Sequence, residues 1–296
     1  MKRILFLCAV ALLMTACGQQ DDKTQEQNEA KQVIIPPGMP VAPMPSNNET
    51  PIELGTVQND PQAPVLQIEE GKPLDLSQLM GQRKTLEEQV TSNIDTIRIQ
   101  AEQGKADYQY LYGASFEYGW GVDQDSKQAY AWYKKAADQQ QPASYNAIGN
   151  LYRMGSGVPQ DAKEALRWYQ LGADAGDAQA MLNVGNCYYF GMAVEKDLAK
   201  AVGWWQQSAD SGNGYAMAQM GDCYYAGLGV QRDLDKAIEY LSQAANKNIS
   251  SAQFRLGLMY YNGEGVQQDR TYSKLLMQKA SDGGLREAQD FLNKNF

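Results

Sequence analysis

One seven-residue motif, Gly-x-Gly-Val-x-x-Asp, is written five times along this chain at a constant interval. The copies are Gly119 to Asp125, Gly155 to Asp161, Gly191 to Asp197, Gly227 to Asp233 and Gly263 to Asp269, each 36 residues after the last. The first glycine, the valine and the aspartate never change, and the second glycine gives way once, to Ala193. A period of this size, held without insertion, marks a supersecondary unit that buries its apolar side only against its neighbours. The chain is therefore predicted to be all-α: an α/α solenoid of five 36-residue helix-turn-helix units spanning 106–285. Helical caps are expected at 76–105 and 286–296, with a disordered tether ahead of them.

The units run Ala106–Gln141, Pro142–Asp177, Ala178–Asn213, Gly214–Ile249 and Ser250–Leu285. In each, helix A is read around a fixed glycine: Gly113, Gly149, Gly185, Gly221 or Gly257. The residue before it is apolar or aromatic (Tyr112, Ile148, Val184, Met220, Leu256), and the residue three after it is aromatic (Phe116, Tyr152, Tyr188, Tyr224, Tyr260). These offsets share one side of a 3.6-residue helix. Glycine inside a helix costs about 1 kcal/mol against alanine, so its use five times predicts helices that approach too closely for a side chain.

The glycines of the loop supply the conformations of a tight turn. Val122, Val158, Val194, Val230 and Val266 are predicted to plug that turn, and Asp125, Asp161, Asp197, Asp233 and Asp269 to N-cap helix B. Helix B carries the bulky pairs Trp132-Tyr133, Trp168-Tyr169, Trp204-Trp205 and Tyr240-Leu241, and closes on small pairs such as Ala136-Ala137 and Ala244-Ala245. Ala101 to Gly104 is in register with Ala173 to Gly176, which marks the remnant second helix of a preceding unit. At the other end Ala288, in register with Ala252, starts another helix A that no turn follows.

The whole pattern resembles the Sel1-like repeat, a relative of the tetratricopeptide repeat. The second unit shows it best, with Gly149, Tyr152, Gly155, Gly157, Val158, Asp161, Lys163, Ala165, Trp168 and Tyr169. The fifth departs most, in helix B, at Ser273, Leu276 and Met277. The resemblance implies an adaptor that binds other proteins. For exported bacterial members it implies a place in envelope assembly, signalling or host contact. Disulfide-bridged relatives are linked to weak penicillin binding or hydrolysis, but this chain lacks their paired cysteines within a repeat.

Ahead of the repeats the chain reads as an export signal (1–16) and a linker (17–75). Lys2 and Arg3 precede the apolar run Ile4 to Met14, which is too short to span a bilayer as a mature helix. Met14-Thr15-Ala16-Cys17 resembles the lipobox of bacterial lipoproteins, with Cys17 becoming the acylated N-terminus; an ordinary secretory signal is the alternative. Gly18 in place of an aspartate resembles the sorting pattern of outer-membrane lipoproteins, which would face the array into the periplasm. Gln19 to Gln32 is almost wholly polar, and Pro36 to Pro45 reads as extended polyproline-like chain, a spacer or else a recognition segment. Of the remaining cysteines, Cys8 leaves with the signal. Cys187 and Cys223 fall one repeat apart, at a helix spacing of about 8–10 Å that exceeds disulfide reach. Both are expected to be buried and reduced, the alternative being a redox pair.

There is no histidine in the chain, which removes the commonest general base and metal ligand. No nucleophile elbow, phosphate loop or Cys-x-x-Cys is present. The Gly-x-Gly joins two helices, where a dinucleotide fingerprint follows a strand. No catalytic residue, cofactor or metal is therefore expected. Loss of Lys2 and Arg3, and of no acid, takes the formal charge from −9 to −11. Such a chain will not hold nucleic acid or an anionic lipid surface by charge, so membrane contact is expected through the lipid alone. A charge-driven protein partner would be basic.

The surface left for recognition lies on helix A, three residues before its glycine, one after and four after. In solenoids of this kind these offsets line the concave side. They contribute the candidate partner-binding residues Tyr110, Asn146, Asn150, Arg153, Asn186, Tyr189, Asp222, Tyr225, Phe254 and Tyr261. Tyrosines flanked by amides suit a protein interface, although the same tyrosines have a second reading, as packing between successive A helices. The leading function is a non-enzymatic, lipid-anchored adaptor that binds a protein on this face. An immunity protein against a toxic envelope effector, an envelope scaffold and a weak β-lactam or cell-wall hydrolase are the alternatives.

Overall fold

A computed structural model describes residues 83–296, with side chains from Glu87 onward. The export signal, Cys17 and the Pro/Gln-rich linker lie outside the described residues. Thirteen α-helices and no strand make up the described residues. Two short helices, α1 (Arg83–Ser92) and α2 (Ile94–Glu102), meet at Asn93, whose side-chain amide donates to the Gln89 carbonyl at 2.8 Å. Where the sequence suggests one capping helix, the described chain is thus broken in two. Ile97 and Ala101 of α2 are buried at the register that later repeats give to a bulky and a small helix B residue.

The repeats follow as five antiparallel pairs: α3 (Ala106–Tyr118) with α4 (Ser126–Asp138), and α5 (Pro142–Met154) with α6 (Ala162–Asp174). Next come α7 (Ala178–Phe190) with α8 (Leu198–Asp210) and α9 (Gly214–Ala226) with α10 (Leu234–Asn246). The last pair is α11 (Ser250–Asn262) with α12 (Arg270–Asp282), and α13 (Arg286–Asn295) covers its end. Five tandem pairs of this kind form the α/α solenoid that the period predicts. Among the described residues no helix is long and apolar enough to cross a membrane.

What holds each pair together is the glycine of helix A. A Cβ on Gly149 would lie 2.5 Å from the Tyr169 ring, and one on Gly185 would lie 2.5 Å from Trp205. Gly113 meets Tyr133 in the same way, Gly221 meets Leu241 and Gly257 meets Met277. The glycine is therefore a notch for the second bulky residue of helix B, always 20 positions further on. Trp205, Tyr133, Tyr169, Leu241 and Met277 are all among the largest fully buried side chains. The small residues do the complementary work between pairs: Ala180, Ala216 and Ala252 are buried, and a Cβ on Gly172 would meet that of Ala180 at 2.7 Å.

The motif aspartate ties the pair twice. Its backbone N–H donates to the carbonyl of the helix A aromatic residue, as Asp161 does to Tyr152 at 3.0 Å and Asp197 to Tyr188 at 2.9 Å. Its carboxylate accepts from the first-turn N–H groups of helix B in all five repeats, as its place in the sequence predicts. The residue just before it closes the other end of the turn. Gln124, Gln160 and Gln268 donate through Nε2, and Arg232 through Nε, to the carbonyl four residues past the helix A glycine. Those carbonyls belong to a helix C-terminus and would otherwise lack a partner. The motif valines are half-buried, a lid on the turn more than a core plug.

The second motif glycine has a different job from the first. It sits in the left-handed region, φ +72° at Gly157 and Gly229, and it rests on the N-terminus of the preceding repeat's helix B. Gly157 seats against Ser126 and Lys127, Gly229 against Leu198 and Val202, and Gly265 against Leu234 and Ile238. Ala193 is the exception, holding φ +61° with a methyl group. A non-glycine residue there costs about 1–2 kcal/mol, part of which glycine returns as chain entropy. Ala193→Gly is expected to stabilise the protein by about 0.5–1 kcal/mol, a Tm rise of about 2 °C. A thermal melt in which the variant unfolds at lower temperature would show that the Ala193 methyl packs better than it strains.

Cys187 and Cys223 are free and buried, at equivalent positions on α7 and α9. Burial pushes both thiols up to about 12, so neither is a thiolate at neutral pH.

Candidate protein-binding face

The candidate residues occupy one side of helix A, and the structure sorts them into three kinds. Tyr110 and Phe254 are 7% exposed, Tyr110 against the Tyr133 ring (5.5 Å between centroids) and Phe254 against Phe291 (6.3 Å). The offset three before the glycine points back under the neighbouring helix, so a large ring there is taken up by packing. The other eight residues keep part of their surface exposed.

Three of these are asparagines, each half-exposed and each tied through its carbonyl oxygen. Asn150 Oδ1 accepts from the Tyr169 hydroxyl at 2.7 Å, Asn186 Oδ1 from Trp205 Nε1 at 3.2 Å, and Asn146 Oδ1 from Asn183 Nδ2 at 2.8 Å. The residue that fills the glycine notch thus ends its polar atom on this face. In the first repeat the same role falls to Glu117, whose carboxylate accepts from the Tyr133 hydroxyl at 2.6 Å. Arg153 is half-exposed beside Asn150 and faces the Tyr169 hydroxyl.

The remaining residues are the tyrosines four past the glycine, with Asp222. Tyr189 packs on Trp205 (5.3 Å) with the Lys196 ammonium 5.3 Å from its ring. Tyr225 donates to Glu264 Oε2 at 2.9 Å, and the Arg255 and Arg232 guanidiniums stand 5.4 and 6.0 Å from its ring. Burial first, then the Glu264 carboxylate, pushes the Tyr225 hydroxyl up to about 12. Asp222 takes the Arg255 Nε at 2.8 Å; its burial raises the carboxyl above the usual range, against the pull of that guanidinium. Tyr261 is enclosed by Phe291 and Phe296, at 5.1 and 5.8 Å. These three side chains are therefore half-buried, each packed along one edge against a neighbouring ring or charged partner.

A row of exposed apolar groups sits one residue further along. Tyr118, Met154 and Phe190, the last helical residues of α3, α5 and α7, are 39%, 44% and 41% exposed. They occupy one offset in three successive repeats and give way to Ala226 and Asn262 in the last two. A repeat-by-repeat comparison of the position before the first motif glycine would have found them.

The Sel1 repeat family model matches residues 106–140, 142–177, 178–213, 214–249 and 250–285. The chain belongs to the Sel1 repeat family. A Sel1 repeat protein from Oxalobacter formigenes, known from its crystal structure, is 33% identical with a TM-score of 0.60; the match covers 62% of this chain and 76% of that one. A protective antigen present in uropathogenic Escherichia coli strains, with an SLR fold, is 32% identical, again with a TM-score of 0.60. That match covers 74% of this chain and 51% of the antigen, so the chain spans about half the antigen's length. No curated protein matches the chain. Sel1 repeats are typically protein-interaction modules, and proteins of the family are generally non-enzymatic scaffolds.

Proposed function

We propose that this Sel1 array is a lipid-anchored adaptor of the bacterial periplasm that binds a protein partner on its helix A face. The observation that carries the reading is the row of exposed Tyr118, Met154 and Phe190 beside the half-exposed asparagines and tyrosines. Apolar and aromatic anchors next to tethered amides are the composition of an interface core with a polar surround. The anchor half of the reading rests on the Met14-Thr15-Ala16-Cys17 lipobox, and Gly18 favours the outer membrane. The formal charge, −9 for the whole chain and −11 once Lys2 and Arg3 are lost, favours a basic partner by steering its approach.

Affinity capture from envelope extracts tests both halves. Met154→Ser with Phe190→Ser removes two exposed side chains, of which Phe190 also packs edge-on against the Tyr189 ring, so its melt should stay within about 1 kcal/mol of wild type. Partner recovery should fall at least tenfold, the loss of one or two anchors of about 1.4 kcal/mol or more. Undiminished recovery removes this face from the function. In the same preparation the intact mass of the membrane-bound protein should show an N-terminus at an acylated Cys17, and a mature protein without acyl chains would end the lipid-anchor reading.

A further inference from the structure

From the distribution of sulfur over the array we infer that Met154 is an oxidation site, and that its conversion to the sulfoxide turns the exposed row from apolar to polar and releases the partner. The release half rests on the adaptor reading; the oxidation site does not.

Elsewhere the array shields its sulfur. Met220, Met259 and Met277 are fully enclosed, and Met217 is buried. Met181 and Met192 are half-buried, and Met181 Sδ accepts from the Ser211 hydroxyl at 3.9 Å. Cys187 and Cys223 would react first as thiolates, but both are buried and stay protonated at neutral pH. Among the described methionines only Met154 is exposed, at 44%.

The position of that one open sulfur matters more than its exposure. Met154 ends α5, and Tyr118 and Phe190 hold the same offset in the repeats on either side. It is therefore the middle member of the apolar row, and the member with a thioether. Oxidation susceptibility follows access to the sulfur, so a limited dose of oxidant should spend itself there.

The co-reactant is a hypohalous acid such as hypochlorous acid. The sulfur gives up an electron pair, an S–O bond forms, and chloride and a proton leave. A flexible apolar side chain becomes a polar, chiral one. A pocket shaped for the thioether would then have to bury the sulfoxide oxygen without a donor, which opposes binding. A dithiol reductase reverses the step: the S–O bond breaks, the oxygen leaves as water and the dithiol closes to a disulfide.

The full-length protein is titrated with hypochlorous acid and mapped by peptide mass, the linker methionines Met39, Met44 and Met80 being scored separately. Met154 should gain one oxygen at least about tenfold faster than Met181 or Met192, with an unchanged melting temperature. Methionine sulfoxide reductase with a dithiol should restore the original mass. Partner capture from envelope extracts should fall at least about tenfold on oxidation and return on reduction. Met154→Leu, compared with itself before and after oxidation, should change less than about twofold, because the leucine has no sulfur to oxidise. Equal oxidation of Met181 or Met192 overturns the site. Complete oxidation of Met154 with capture unchanged, an equal fall in Met154→Leu, or a lowered melt overturns the switch. If capture by the untreated protein does not depend on Met154 and Phe190, the adaptor reading falls and takes the switch with it, while the mass map still decides the oxidation site.

Discussion

Gly157→Ala is expected to destabilise the protein by about 2–5 kcal/mol, combining left-handed strain with overpacking against a fixed backbone. The added Cβ would fall against the Ser126 carbonyl and 2.8 Å from the Lys127 nitrogen. These atoms begin α4, whose first turn is pinned by the Asp125 carboxylate, so the neighbour cannot yield as a flexible side chain would. Gly176→Ala is the control. Gly176 holds φ +87° with nothing within 4 Å of its added Cβ, so its loss should stop at about 1–2 kcal/mol. Urea unfolding of both variants, followed by circular dichroism, measures the difference. Equal losses would mean that the second motif glycine serves conformation alone and does not form a joint between repeats.

Trp205→Ala should cost about 3–5 kcal/mol, the usual toll of emptying a large buried aromatic site. Trp205 is wholly buried, fills the Gly185 notch, donates to Asn186 and carries the Tyr189 ring. Since a repeat touches chiefly its neighbours, the damage should concentrate in α7 and α8, where amide exchange would accelerate first. Trp205→Tyr should be far milder, because Tyr133 and Tyr169 fill the same notch in the first two repeats. A loss near 1 kcal/mol for the alanine variant, or exchange that accelerates evenly along the chain, would show that the notch does not hold the pair.

Much of this fold is legible because the restraints are local and repeated. The helix A glycine and the capping aspartate each act within one 36-residue unit, so five copies announce them. Which residue fills the glycine notch is less visible: Tyr133, Trp205 and Met277 share a position but not a chemistry, and only the close approach of the helices unites them. The candidate face is harder still. Exposure follows the close approach of the helices and not residue type: three before its glycine Tyr110 packs against the Tyr133 ring, while five after it Tyr118 reaches the surface. The direction of an asparagine amide is set by a donor on another helix, as Trp205 sets Asn186, and no spacing rule in a single strand of sequence encodes that. The role of Gln124, Gln160, Arg232 and Gln268 is masked in the sequence because glutamine and arginine do the same carbonyl-capping work with different side chains.

The ledge on which each turn rests changes character at the last pair. Where the fourth repeat offers Leu234 and Ile238 to Gly265, the fifth places Arg270 and Lys274 at the same register. Both cations are already occupied, Arg270 over the Tyr261 ring and Lys274 over Phe296. Another copy of the same unit could dock there only by stripping water from two positive charges, a penalty that its small turn would not recover. That edge is therefore expected to resist end-to-end docking of identical molecules, unlike the apolar ledges between the inner repeats.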